Sequence, residues 1–371
     1  ANMDASQIRR RIAALRESSG MKQADLAEAL GFKDRQTVSA IETGDRKVSA
    51  DELVRMADIF GVELSVFSDP YEILDGASFS WRRNVVPDEL IEQFEEQAKS
   101  WMALYRHLSR LAGEPVNSLV PKLGLTENSS YEEAANSGEA IATQFDLGNV
   151  PAAELARMLD EKLKFLVLHV DAPAGISGAA CRLEALNVVL VNRAEPAARR
   201  AFNLAHELFH LATWEQMTPD HIESVRLEGR GRPRAEQLAD NFASGLLMPG
   251  EVINGLLQRH PQPDGIDQAD WIAVLARELG VSGQAMKWRL TNLGLISRAK
   301  AARIADQDLQ TPPAASEQPP LPFSLQFVER LHWGLDGGHL TVRRAAKLMG
   351  MNIDDLSALF RAYALPVPFD L

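Results

Sequence analysis

Apolar positions recur every three or four residues along most of the chain, the spacing that lines up one face of an α-helix. Ile8, Ile12 and Leu15 share such a face, as do Leu26, Ala27 and Leu30, with Gly31 closing the second helix. Residues 34–42 form a third segment, and after the turn Thr43-Gly44-Asp45 come Leu53, Met56, Ala57 and Ile59, so the stretch from Ser6 to Phe67 reads as five short helices. Beyond a turn at Asp69-Pro70, the positions Leu90, Ile91, Phe94, Ala98, Trp101, Leu104, Tyr105 and Leu108 predict one long helix suited to packing or dimerisation. The triplet Trp81-Arg82-Arg83 before it reads as surface.

Two further helices are expected at 139–145 and 152–163, and then the period changes. The β-branched runs 165–170 and 187–192, with a weaker one across 175–181, predict strands of a small sheet. Helical spacing returns with Phe202, Leu204, Leu208, Phe209 and Leu211, and again from Glu236 through Phe242, Leu246 and Leu247 to Met248, stopped by Pro249. Residues 270–296 and 340–365 each look like packed helices joined by a turn, and 311–322, with five prolines, reads as a semi-extended linker. The pattern thus predicts a mainly α, multidomain chain. A five-helix domain at 5–68 precedes a helical connector at 69–134, an α+β domain with a small sheet at 135–300, a Pro-rich linker at 301–322 and a C-terminal helical unit at 323–371.

Composition narrows the classes. At 371 residues and 46% hydrophobic content, two or three domains can each bury a core. No uninterrupted apolar run reaches membrane-spanning length and no signal pattern opens the chain, so no membrane partner and a cytoplasmic location are expected; Ala1-Asn2 ahead of Met3 reads as an appended remnant. The single Cys181 excludes an intrachain disulfide and reads as a small buried hydrophobe, the alternative being a thiolate that reaches a metal. A net charge of -12 excludes a chain that coats nucleic acid nonspecifically, so any DNA contact must be local.

The sharpest chemical signal is His206-Glu207-Leu208-Phe209-His210, an H-E-x-x-H pattern. On a helix the two imidazoles stand on one face and can bind one zinc ion, with Glu207 placed to take a proton from the metal-bound water. Zinc needs a third protein ligand, and Glu236, opening the next apolar helix, is the candidate. Asp240, one turn on, faces the same way and is placed to accept the outer ring N–H of a ligand histidine. Manganese suits His-His-Glu ligation as well as zinc does. Between His210 and Glu236 lies a long aperiodic stretch in which Arg226, Arg230, Arg232 and Arg234 surround Glu228. It reads as a contact for a substrate carboxylate, as a sensor of a nucleic-acid effector, or as a solvated loop. His221 is a candidate oxyanion donor. Gly175-Ile176-Ser177-Gly178 is either an open sheet edge that takes up substrate backbone or a plain hairpin turn.

The combination FNLAHELFHLA and AEQLADNFASGLLMP closely resembles the zinc metallopeptidase domain of the ImmA/IrrE family over roughly residues 135–295, with Phe209 departing from the small residue common in such helices. That resemblance implies a zincin-like fold, His206, His210 and Glu236 as metal ligands, and Glu207 as general base. It also implies a substrate among helix-turn-helix repressors cleaved during stress or DNA damage. Independently, KQADLAEALGFKDRQTVSAIETGDRKVSADELVRMADIFGV resembles the Xre/Cro-type helix-turn-helix domain. By that likeness Gln23, Gln36, Thr37 and Ser39 reach base edges or phosphates of duplex DNA, and Arg35, Arg46 and Lys47 contact the backbone. Residues 1–68 carry ten basic against eleven acidic side chains, an unusual balance for a DNA reader, which leaves a protein-binding role open.

The expectation is a zinc-dependent endopeptidase fused to a DNA-binding module. Its substrate is an Xre-type repressor or its own helix-turn-helix domain, with single-stranded DNA a candidate activator and a homodimer a candidate assembly. The rival is a DNA-binding regulator whose metal-binding domain senses a ligand without proteolysis.

Overall fold

The computed structural model describes residues 5–71, 73, 77–83, 86–224, 233–262, 268–309 and 318–369. Helices α1 (Ala5–Ser18), α2 (Gln23–Ala29), α3 (Arg35–Thr43) and α4 (Ala50–Phe60) close around Ile12, Leu26, Val38, Ile41, Met56 and Phe67. The fifth expected helix is a single 3-10 turn, Leu64–Phe67. Local chemistry sets the boundaries. Asp34 caps α3 by accepting from the Thr37 amide at 3.2 Å, and α3 ends on Gly44 at φ 91°, a left-handed conformation suited to glycine. Ser49 and Glu52 form a reciprocal capping box at the start of α4.

The connector contains more than helix. Its residues Ala77–Arg83 form a strand, β1, ahead of the long α5 (Asp88–Leu111). Two residues of the Trp81-Arg82-Arg83 triplet are therefore not surface features: Trp81 is fully buried and Arg82 is only 8% exposed. After α6 (Tyr131–Gln144) and α7 (Pro151–Glu161) come β2 (Leu166–Val170), β3 (Ile176–Leu183) and β4 (Leu186–Asn192), then α8 (Ala197–Thr213) and a short β5 (Ile222–Ser224). The sheet order is β2-β4-β3-β1-β5. β2 runs parallel to β4, β3 antiparallel to both β4 and β1, and β5 parallel to β1.

This order corrects the expectation of an open edge at Gly175, Ile176, Ser177 and Gly178. β1 pairs along β3 from Ala77↔Leu183 to Arg83↔Ile176, with a bulge at Ser177, so β3 is an interior strand. Among the described residues the sheet edges are β2 and β5. Gly175, at φ 96°, lies in the turn that leads into β3.

Period-two alternation gives the sheet two covered faces. Val167, Ala180, Val189 and Val191 join the core around α7 and α8, whereas Leu166, Leu168, Ala179, Cys181, Val188 and Leu190 join a second core with α5 and the C-terminal helices. The first layer continues through α9 (Arg234–Leu247), α10 (Gly250–Arg259), α11 (Gln268–Leu279), α12 (Gly283–Asn292) and α13 (Arg298–Arg303). Residues 301–309, expected in a linker, are folded: Ala301 is fully buried and Leu309 of a 3-10 turn packs on Gly283. Residues 311–317 lie outside the described residues, but 320–323 are pinned, with the Pro320 carbonyl accepting from Arg193 at 2.7 Å and Phe323 bridging His169. The last helices, α14 (Leu325–Asp336), α15 (Val342–Met349) and α16 (Ile353–Ala362), dock on α5. Gln97 donates to the Leu348 carbonyl at 2.7 Å, and Trp101 to that of Met349 at 3.3 Å. Among the described residues no helix is long and apolar enough to cross a membrane.

Candidate metal centre and nucleic-acid interface

α8 lies on β3 and β4 through Ala201, Leu204, Ala205, Leu208 and Leu211, which turns its opposite face toward α9. On that face His206 and His210 are fully buried, and Glu236 projects from the first turn of α9. The three donor groups converge. The two Nε2 atoms stand 3.0 Å apart, Glu236 Oε2 is 3.3 Å from His206 Nε2, and Glu236 Oε1 is 3.0 Å from His210 Nε2. Metal–ligand bonds of about 2.0–2.1 Å in a tetrahedron place neighbouring donors roughly 3.3 Å apart, so this spacing suits one divalent ion. Two imidazoles and one carboxylate are also the donor types that zinc takes in catalytic sites. Burial would raise the Glu236 carboxyl, but the adjoining His206 and His210 hold it well below the usual carboxylate range.

Asp240, one turn along α9, reaches His206 from the other side, with Oδ1 at 3.0 Å from Nδ1. With the Nδ1 proton donated to that carboxylate, the Nε2 lone pair faces Glu236 and His210. Glu207 is 1% exposed on the same helix, next in sequence to His206. Its side chain is one of two carboxylates whose charge, after burial, pushes the Cys181 thiol well above its ordinary pKa. Cys181 packs in the core beside α5 and stays a protonated, apolar side chain rather than a thiolate that reaches a metal.

What brings α9 against α8 is a close crossing with α6 that sequence reasoning missed. A Cβ on Gly138 would lie 2.2 Å from the Phe242 carbonyl oxygen, and one on Gly245 2.0 Å from that of Ala135, so the two backbones touch only because both residues lack side chains. The signal was present in the small residues Ala134, Ala135, Gly138 and Ala142 facing Ala239, Ala243 and Gly245. Arg234 belongs to the same junction: its guanidinium lies 4.0 Å from the Tyr131 ring centroid and donates to the Ser129 carbonyl. Arg226, Arg230 and Arg232 lie outside the described residues. His221 donates to Glu95 of α5 at 2.7 Å, which ties its ring to the helix behind the sheet. Burial would raise the Glu95 carboxyl, but bonds from Trp81, His221 and Lys99 hold it low.

In the N-terminal domain, Arg35, Gln36 and Lys47 are exposed and Thr37 and Ser39 half-buried on or beside α3. Two other expected contacts are already engaged. Gln23 donates to Glu42 at 2.8 Å, and Arg46 makes a bidentate pair with Glu52 at 2.6 and 3.2 Å while lying over the Phe32 ring.

Two segments of the chain match known family models. Residues 12–67 match the family model described as helix-turn-helix, and residues 161–291 match that of the M78 peptidases described as IrrE N-terminal-like domain. No curated protein matches the chain. Among solved structures it is similar to Bacillus thuringiensis PlcR in complex with the peptide PapR7 and DNA, at 12% identity over 97% of this chain and 96% of that one. The TM-score of 0.17 gives that likeness no weight.

Proposed function

From a chain that joins an Xre-type helix-turn-helix domain to an IrrE/ImmA-like M78 peptidase domain, we propose a metal-dependent endopeptidase coupled to a DNA-binding module. The observation that carries it is the convergence of His206, His210 and Glu236 on one buried point, with Glu207 beside them on the same helix. A purely structural metal site has no use for that glutamate. Zinc, or manganese in its place, would supply Lewis acidity to the scissile carbonyl and acidity to a water when bound by His206, His210 and Glu236. Asp240 fixes the His206 tautomer and ring direction. Glu207 takes the proton of the attacking water and hands it to the leaving amine.

The substrate in this reading is a helix-turn-helix repressor, either an Xre-type partner or the N-terminal domain of another copy, and its cleavage switches transcription in a stress or DNA-damage response in the cytoplasm. Gln36, Thr37 and Ser39, flanked by Arg35 and Lys47, are the side chains proposed to meet duplex DNA. The test incubates the purified chain with one equivalent of zinc or manganese, alone and with an Xre-type repressor, with and without single-stranded DNA. Metal-dependent fragments that disappear with Glu207→Gln are the expected result. Full metal occupancy with no fragment under any condition would instead establish the regulator that senses a ligand through its metal domain.

A further inference from the structure

The strand that closes the β3 edge also carries a buried cation that the proposed chemistry does not use. Along β1, Phe79 and Trp81 enter the core beside α5, so Ser80 and Arg82 face the α8 side of the sheet; Ser80 Oγ donates to the Asp220 carbonyl at 2.8 Å. Arg82 places its guanidinium 5.5 Å from the centroid of the Phe202 ring, and Phe202 lies one turn before His206 on α8, their ring centroids 6.2 Å apart. The side chain is 8% exposed, yet its Nη1 has no hydrogen-bond partner, and no carboxylate among the described residues pairs with it. Its register partner on β3 is Gly178, which puts no side chain beside it. Glu195, which accepts from Ser177 at the bulge, is also engaged by Arg199 and Asn203.

A guanidinium packed against an aromatic face, with one nitrogen shielded and unpaired and no carboxylate partner among the described residues, is a group that a carboxylate satisfies with charge-assisted, bidentate hydrogen bonds. Resting on the peptidase reading, we propose that Arg82 is a specificity-determining residue that binds a carboxylate of the peptide substrate on the Phe202 side of His206. The connector strand would then act as a wall of the peptidase cleft as well as a tether for the helix-turn-helix domain. The carboxylate comes from an acidic side chain or from the peptide C-terminus.

Anisotropy titration of the zinc-loaded Glu207→Gln protein separates these sources and reads binding without turnover. The probes are fluorescein-labelled, C-terminally amidated alanine-rich decapeptides with one Glu at each position in turn, the same peptides with Gln, and an all-alanine peptide with a free C-terminus. The expected result is a preference of about tenfold for Glu over Gln at one position, or for the free C-terminus over the amide. Arg82→Gln abolishes the preference and Arg82→Lys retains part of it, with circular dichroism reporting the fold. Glu223→Gln, at the β5 register position beside Arg82, leaves it in place. Equal affinity for all peptides, a full preference in the Arg82 variants, or a preference that emerges only with Glu223→Gln overturns the proposal. Zinc binding and fragment formation by the parent chain are scored separately, so either reading can fail alone.

Discussion

A Cβ on Gly138 of α6 would stand 3.2 Å from the carbonyl carbon of Gly245 in α9, so the two helices cross backbone to backbone at this pair. The crossing sits nine residues beyond Glu236 on the same rigid helix, which makes it a determinant of where that carboxylate points. Gly245→Ala forces backbone against backbone rather than against a flexible side chain, and is expected to cost about 3 kcal/mol of stability. A lowered melting temperature with weakened zinc affinity in a chelator competition is the expected pair of results. Unchanged affinity would separate the crossing from the metal centre.

The 3.0 Å contact between His206 Nδ1 and Asp240 Oδ1 carries a second prediction. Asp240→Asn keeps the shape but removes the charge that favours an Nδ1 proton, so zinc affinity should fall about 10- to 100-fold while the melting temperature of the metal-free protein changes little.

The docking of the C-terminal unit is predicted to loosen in mild acid. His107 of α5 meets the Tyr71 ring edge-on at 5.1 Å, and Tyr71 lies under Arg344 of α15, itself paired with Asp69. Burial, followed by Arg110 and Arg106, pushes the His107 pKa from 6.5 down to about 4. A depressed folded-state value means that the unfolded chain binds a proton the folded chain refuses. Stability contributed by His107 is therefore complete above about pH 6.5 and is lost as pH falls toward 4. Calorimetry at pH 7.5, 6 and 5 should show a steeper decline for the parent chain than for His107→Gln, and parallel declines would remove this residue from the account.

In the helix-turn-helix domain, stability and recognition should separate. Arg46→Ala leaves the buried Glu52 without its bidentate partner and is expected to cost about 1–2 kcal/mol. Gln36→Ala touches nothing in the core, so its effect should appear in operator binding alone, measured by gel shift beside a melting curve.

The H-E-x-x-H helix, the helix bearing Glu236 and Asp240, and strands β2 and β4 were legible because each is specified within its own few turns or residues. β1 was not, since Trp81-Arg82-Arg83 carries no period long enough to betray a strand and its partner β3 lies about a hundred residues away in sequence. The same omission made 175–178 look like an edge. Arg46 and Gln23 looked available for DNA because their pairing with the buried Glu52 and the half-buried Glu42 follows from tertiary packing rather than from neighbours in sequence. Gly138 and Gly245 would have been found only by reading small residues on two helices against each other.

The interior place of β1 has a consequence for how the molecule is made. Residues 12–67 complete their core with contacts among themselves and can fold as soon as they leave the ribosome. β1 leaves next but waits about a hundred residues for β3, and α5 more than two hundred for α14 and α15. The helix-turn-helix domain is therefore finished while the five-stranded sheet still has an unpaired strand. Expression of 161–291 alone would yield a chain whose β3 backbone lies bare, a template for aggregation rather than a self-contained domain.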